Sequence, residues 1–364
     1  MNPEDKNRKA DDLMAEISHE FSLFDAVNPL NHAQERERFL KAWERGEAYN
    51  PRYEYRLLPP DLPKLKKRLS ALDFGTSVFD KMFDELRTEW QRTLAVADAR
   101  GTLEVTKRSQ ELYGEPSAAL AKEAQAALEE SAEAKEESPD VGVKGLAEKM
   151  RERLRQDRIE GWDVIEDPTT VMLAHVDAAH RRIRLQAGMI VTSAMVERLL
   201  HHEIQVHVYR TANGERQPFK AFALGFGRWL ETEEGLAVSL EERLGDSIPS
   251  VRRRYAGRVI AASLASTKSF FDIFAKLVES FSPEEAFTLT QRSKRGLEDT
   301  SHPGGFVQDH IYLQGKKRIA DLKTEDLRLL YSGKIAVHHL PVVRELIAQH
   351  KLMDPAFLPS PLYG

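Results

Sequence analysis

The chain has 364 residues, enough for one large domain or two ordinary ones with a sizeable core. Its 53 Lys and Arg against 58 Asp and Glu leave a net charge of −5, which excludes a whole-protein basic field for nucleic acid. The absence of cysteine excludes disulfide frameworks, thiolate metal sites, iron–sulfur clusters and cysteine nucleophiles.

The first residues are polar and lack the apolar stretch of a targeting segment, and no run approaches the roughly 20 apolar residues of a membrane helix. The expected location is the cytoplasm, with neither membrane nor nucleic acid as a partner. The first 160 residues read as helix almost throughout. Leu13, Ile17, Phe21 and Phe24 recur at helical spacing, as do Phe39 with Trp43, and then Val78, Met82, Leu86 and Trp90. Pro59, Pro60 and Pro63 punctuate them. Ser117 to Glu137 is rich in Ala, Glu and Lys and reads as a solvated helix stopped at Ser138-Pro139-Asp140.

After Gly161 the texture changes. Trp162 to Ile165, Val171 to Val176 and Arg182 to Leu185 carry strand patterns, with a hairpin turn expected at Ala178-Ala179 or His180-Arg181. From Thr192 helical periodicity returns and continues to His350, interrupted at Pro303-Gly304-Gly305. The expected fold class is therefore mainly α with a small β element (α+β). The division falls between a helical region, 1–150, and a second region, 151–364.

The chemistry is concentrated in the helix opening near Ser193, which carries His202-Glu203-x-x-x-His207. Two imidazoles on one helix, with a Glu after the first, are the parts of a zinc peptidase: the imidazoles hold the metal and the Glu accepts a proton from water. The usual His spacing is four. At about 100° per residue, a spacing of five turns the second His roughly 140° from the first on an ideal helix. The pair reaches one ion only if the helix is locally widened, as a π-bulge does. Downstream, Glu231-Thr232-Glu233-Glu234-Gly235-Leu236-Ala237 begins another helical pattern, with Thr232 as its candidate cap and Glu233 and Glu234 in its first turn. One of these carboxylates is a candidate third ligand.

The His-Glu-x-x-x-His segment followed by Thr-Glu-Glu-Gly-Leu-Ala resembles the tubulin metallocarboxypeptidases, whose best-known members are the microtubule-associated tyrosine carboxypeptidases of animals, with bacterial relatives known for a "QEGLA" motif. Gln291-Arg292-Ser293-Lys294-Arg295-Gly296, Asp299-Thr300-Ser301, Pro303-Gly304, Phe306, Asp309, Tyr312-Leu313, Gly315 and Gly333-Lys334 also follow the family pattern, so that the resemblance spans roughly residues 160–345. It implies a zincin-like metallopeptidase, with 151–364 as the catalytic domain. It further implies one zinc per chain on His202, His207 and Glu234 (Glu233 as runner-up), with Glu203 as catalytic base. The implied activity is hydrolysis of a C-terminal Tyr- or Glu-type residue from a peptide or protein tail. A glutamate, Glu233, replaces the glutamine of "QEGLA", and the His207–Thr232 segment is shorter than in the animal proteins; both bear on substrate choice.

Tyr312 is the candidate donor to the developing oxyanion. A carboxypeptidase must also grip a terminal carboxylate, and Arg292, Lys294 and Arg295 are the candidates, Arg295 foremost. The 171–176 or 182–186 strand is a candidate edge for pairing with the peptide. His201 reads as a supporting residue, His175 and His180 as surface or strand residues, and His338-His339 as structural. An aminopeptidase or endopeptidase on the same scaffold, or a metal-bound regulatory protein without catalysis, are the alternatives. A di-iron carboxylate site lacks its paired Glu-x-x-His motifs.

Overall fold

Leu13, Ile17 and Phe21 share one apolar core, as their spacing requires, but the helix carrying the first two, Pro3–Glu20, stops before Phe21. Ser22 caps a separate short helix, Leu23–Val27, its hydroxyl accepting the Asp25 N–H at 3.2 Å. Phe24 thereby leaves the Leu13 face and stacks on His175, with ring centroids 4.7 Å apart. The computed structural model describes residues 3–130, 139–246 and 249–362.

The helix Val78–Ala99 opens with a reciprocal cap between Ser77 and Asp80. Asp80 also receives the Asn7 amide at 2.8 Å, which ties the first helix to it. Phe83, fully buried, is ringed by Phe74, Phe79, Phe219 and Phe226. One apolar core thus runs from Ala10 to Leu362 and joins the N-terminal helices to the rest of the chain. The helix Ala118–Glu130 is not simply solvated. Its Leu120, Ala124 and Leu128, four apart, are buried against the helix Pro249–Ala265. The end of the acidic run, 131–138, lies outside the described residues.

Among the described residues five short strands follow: β1 (Val141–Gly142), β2 (Asp163–Asp167), β3 (Ala174–Asp177), β4 (Arg182–Gln186) and β5 (Ile190–Val191). β1 and β5 form a two-stranded antiparallel pair. β3 and β4 form the expected hairpin, in register from Ala174↔Leu185 to Asp177↔Arg182. Its turn uses all four residues Ala178 to Arg181, closed by the Arg181 N–H on the Ala178 carbonyl at 3.3 Å. β2 lies parallel to β4 on the other side, so β4 is central and β3 is an edge strand. The sequence 182–186 is therefore closed to further pairing, and 174–177 is open to it. The whole is mainly helical with small sheets, the α+β class expected.

Two helices dominate the second half. The first opens at Ser193, capped by Thr192 (Oγ1 to Met195 N, 3.1 Å). The second, Trp229–Leu244, starts earlier than Thr232, from a left-handed Arg228 whose N–H is taken by the Glu89 carboxylate. Thr232 is thus one turn inside and not the cap. It is buried, and its hydroxyl accepts the Val337 N–H at 3.1 Å. At Gly235 this helix crosses Ile311–Ile319 backbone to backbone. A Cβ on Gly235 would come closer than 3.0 Å to the Gly315 carbonyl, and one on Gly315 would meet the Glu231 carbonyl. Both motif glycines are contact points that set how near the two helices sit. No helix among the described residues is long and apolar enough to cross a membrane.

Candidate metal centre

From Leu200 to Val208 the helix opened at Ser193 widens into a π-helix, then resumes as Tyr209–Glu215. The Tyr209 N–H bonds to the carbonyl of Ile204, five residues back. In i→i+5 winding, residue i+5 returns beside residue i. His202 and His207 accordingly face each other, with ring centroids 5.0 Å apart. The Thr211 hydroxyl donates to the His207 carbonyl at 2.8 Å, engaging an acceptor at the end of the widened turn.

Each imidazole is oriented from behind by a carboxylate. His202 Nδ1 donates to Glu241 at 2.7 Å, and His207 Nδ1 donates to Glu233 at 2.6 Å. With the proton on Nδ1, both Nε2 atoms present a lone pair forward. They converge on Glu234 Oε2, at 3.5 Å and 3.9 Å. That oxygen is buried without a hydrogen-bond partner. All three donor atoms lie within 4.8 Å of one another. Ligands about 2 Å from a tetrahedral ion stand roughly 3.3 Å apart, so the spacing fits a metal of zinc's size.

The supporting carboxylates are themselves saturated. Glu241 accepts from Arg198 (2.8 Å) and the Tyr255 hydroxyl (3.0 Å). Glu233 accepts from Arg210 (2.7 Å) and Lys334 (2.9 Å) as well as from His207. Burial alone would raise both carboxyls, yet these cations hold each down to about 2. Burial alone would lower His202, but the carboxylates around it, Glu234 and Glu241 foremost, raise its basicity. Arg210 is locked in turn by the carbonyls of Leu330, Gly333 and Ile335, which gives the Gly333-Lys334 segment its place beneath the site. With both oxygens occupied, Glu233 has none left for an ion. Glu234, by contrast, keeps one buried oxygen without a partner.

Glu203 lines the same cleft, of about 120 Å³, and among the described residues no donor holds its carboxylate. Tyr312 lines it too, stacked on Tyr255 at 5.5 Å, and burial keeps its hydroxyl protonated well above the usual tyrosine range. Of the three basic candidates, only Arg292 reaches the cleft wall, and it is doubly bonded to Asp309, one of the bonds at 2.8 Å. Lys294 is not at the site. Its ammonium is buried on the carbonyls of Lys268, His302 and Gly304, where it staples the 294–305 loop. Arg295 is not there either: it is buried between Phe24 and Phe306 and bonded to Gln308 at 2.8 Å. Lys294 is the last residue of its helix and Arg295 the cap that follows it, where the chain turns away from the cleft.

His201 pairs with Asp246 outside the cluster, as a supporting residue would. His175 lines the cleft from β3, and its burial pulls it down to about 4, while His180 sits at the exposed turn on Asp177. Glu85, His338 and His339 also bring their donor atoms within 4.8 Å. There, however, His339 Nδ1 accepts the Ala336 N–H (3.1 Å), which leaves the proton on Nε2, facing Glu85 at 2.9 Å. That tautomer makes a hydrogen-bonded group without a lone pair for an ion.

Sequence reasoning missed Glu241, Arg198 and Arg210, although a signal existed for all three. Glu241 follows Glu234 by seven, Arg198 precedes His202 by four and Arg210 follows His207 by three, all face-sharing spacings on a helix.

Fold and site together define a mainly helical protein with a His–His–Glu cluster, fit for a metal, at the floor of a cleft. Residues 37–363 match the family model described as microtubule-associated tyrosine carboxypeptidase, and the chain belongs to that family. A relative from Mus musculus described as tyrosine carboxypeptidase MATCAP2 is 32% identical over 172 residues, 45% of this chain and 32% of the relative. Microtubule-associated tyrosine carboxypeptidase 1 of Rattus norvegicus is 33% identical over 171 residues, 45% of this chain and 35% of the relative. The Homo sapiens protein of the same name is 33% identical over 171 residues, with the same shares covered. The chain spans about a third of the length of these curated relatives.

Proposed function

We propose that this protein is a zinc-dependent carboxypeptidase that removes a C-terminal residue, of Tyr or Glu type, from a peptide or protein tail in the cytoplasm. Two forward-facing Nε2 atoms, the orphan Glu234 oxygen and the untethered Glu203 meet in one cleft, and this meeting carries the reading. His202, His207 and Glu234 would hold one zinc per chain, in a zincin-like arrangement with a π-helical turn. Bound there, zinc would supply acidification of a water and polarisation of the scissile carbonyl.

The remaining steps belong to the chain's own side chains. Glu203 takes the proton from the attacking water and returns it to the departing amine. Tyr312, a neutral phenol, donates to the carbonyl oxygen as charge develops on it. The free edge of β3 accepts the peptide backbone, since β4 is already paired on both sides. Beside the cleft lies a cavity of about 270 Å³ walled by Phe24, Trp90, Tyr113, Trp229 and Phe306, which suits an aromatic terminal side chain. Three of those walls come from the N-terminal region 1–150, which in this reading completes the specificity pocket of the catalytic region 151–364. The relatives' names, tyrosine carboxypeptidases associated with microtubules, agree with a protein tail as substrate.

Elemental analysis and peptide cleavage test this together. One zinc per chain, and release of the last residue from N-terminally blocked peptides, are expected. Cleavage from the N-terminus of free peptides, or at internal bonds, would select the aminopeptidase or endopeptidase alternative. No zinc after purification without chelator and add-back would overturn the metallopeptidase reading.

A further inference from the structure

We propose that Arg258 receives the terminal α-carboxylate of the substrate and so makes the enzyme an exopeptidase. This rests on the carboxypeptidase reading and names its recognition residue. Four cationic side chains line the cleft: Arg198, Arg258, Arg292 and Lys334. Three are committed to carboxylates of the protein: Arg198 to Glu241, Arg292 to Asp309 and Lys334 to Glu233. Arg258 has no such partner among the described residues, and its Nε is buried with no hydrogen bond at all. A buried guanidinium donor without an acceptor is costly unless a ligand supplies one.

The mounting is rigid and close to the chemistry. Arg258 lies on the helix Pro249–Ala265, one turn beyond Tyr255, whose hydroxyl is fixed on Glu241. Its Cζ stands 4.4 Å from the centre of the Tyr312 ring and 5.1 Å from that of Tyr255. The cation–π stack fixes the guanidinium plane with little cost in side-chain entropy, and a planar fork matches a carboxylate. A carboxylate held there has its scissile bond one residue inward, toward Glu203 and the His–His–Glu cluster. A longer tail running past Arg258 would leave that cation uncompensated, which disfavours internal cleavage.

The test uses a blocked pentapeptide ending in tyrosine, as the free acid and as the C-terminal amide, on the metal-loaded full chain. Wild type is assayed for release of tyrosine, which examines the carboxypeptidase reading by itself. Binding of both peptides is then measured by calorimetry to Glu203→Gln, with and without Arg258→Gln or Arg258→Lys. The free acid is expected to bind Glu203→Gln about 10- to 100-fold tighter than the amide. Arg258→Gln should erase that preference and Arg258→Lys restore part of it, with metal content and Tm unchanged. In otherwise wild-type protein, Arg258→Gln should raise KM for the free acid far more than it lowers kcat. An acid preference that survives in Arg258→Gln, or is absent from Glu203→Gln itself, overturns the proposal. Lack of tyrosine release by wild type with the Arg258-dependent preference intact would overturn only the peptidase reading.

Discussion

Glu233 and Glu234 are adjacent in sequence and opposite in what their loss should do. Glu233 sits between His207, Arg210 and Lys334, and the two cations are 0% and 2% exposed. Glu233→Ala strands two buried charges, and breaking a buried pair costs about 3–5 kcal/mol. For 364 residues the unfolding entropy is roughly 0.76 kcal/mol/K, so the metal-free protein should lose about 4–7 °C in Tm. Glu234 has an oxygen without a partner, so Glu234→Ala should leave the metal-free Tm within about a degree. Its effect belongs to the metal. One ligand of three, in a site worth roughly 10 kcal/mol, is about 3 kcal/mol, or about 200-fold in zinc affinity. Differential scanning fluorimetry of the apo proteins and competition with a chromophoric chelator read the two quantities separately. If Glu234→Ala destabilises the apo protein and keeps its zinc, while Glu233→Ala does the reverse, the ligand assignment is wrong.

Other outcomes follow from the same contacts. Glu203→Gln should keep one zinc per chain and lose at least about 100-fold in kcat; zinc loss with it would mean Glu203 is a ligand and not a base. Gly235→Ala gains about 1 kcal/mol of helix propensity but drives a Cβ into the Gly315 carbonyl, and the strain of about 1–3 kcal/mol or more should lower Tm and weaken zinc binding; an unchanged Tm would refute the close crossing. Burial of its carboxyl raises Glu89 from 4.5 to about 7, with its bond to the Arg228 N–H insufficient to offset it. The unfolded chain therefore releases this proton first, and Glu89 costs stability progressively as pH rises from about 4.5 through 7. Glu89→Gln should match wild type in Tm at pH 4 and exceed it by about 1–4 °C at pH 8, a gain of about 1–3 kcal/mol; a pH-independent difference would refute the burial argument.

Local features of the chain were readable where a residue's chemistry depends on near neighbours. The His spacing of five demanded a widened helix, and the π-helix at Leu200–Val208 supplies it. The β3–β4 hairpin, the Thr192-led helix and the Gly-rich break near Pro303 lie where alternation, capping and turn residues put them. Thr232 misled because Thr before two Glu is a good cap in isolation. Whether it is used depends on Arg228 adopting a left-handed turn held by Glu89 from another helix.

The β3–β4 hairpin and the shared face of His202 and His207 were thus determined by sequence, because each is set within a few covalent neighbours. Which of the two carboxylates keeps a free oxygen was decided by tertiary structure, because Arg210 and Lys334 come from distant segments to occupy Glu233. The same holds for the cations. Lys294 and Arg295 share a motif with Arg292, yet the helix end sends them into the protein interior, while Arg258, in no motif, is carried to the cleft by the packing of its helix against Tyr312. Charge alone does not say where a guanidinium points; the long-range packing that chooses its partner does.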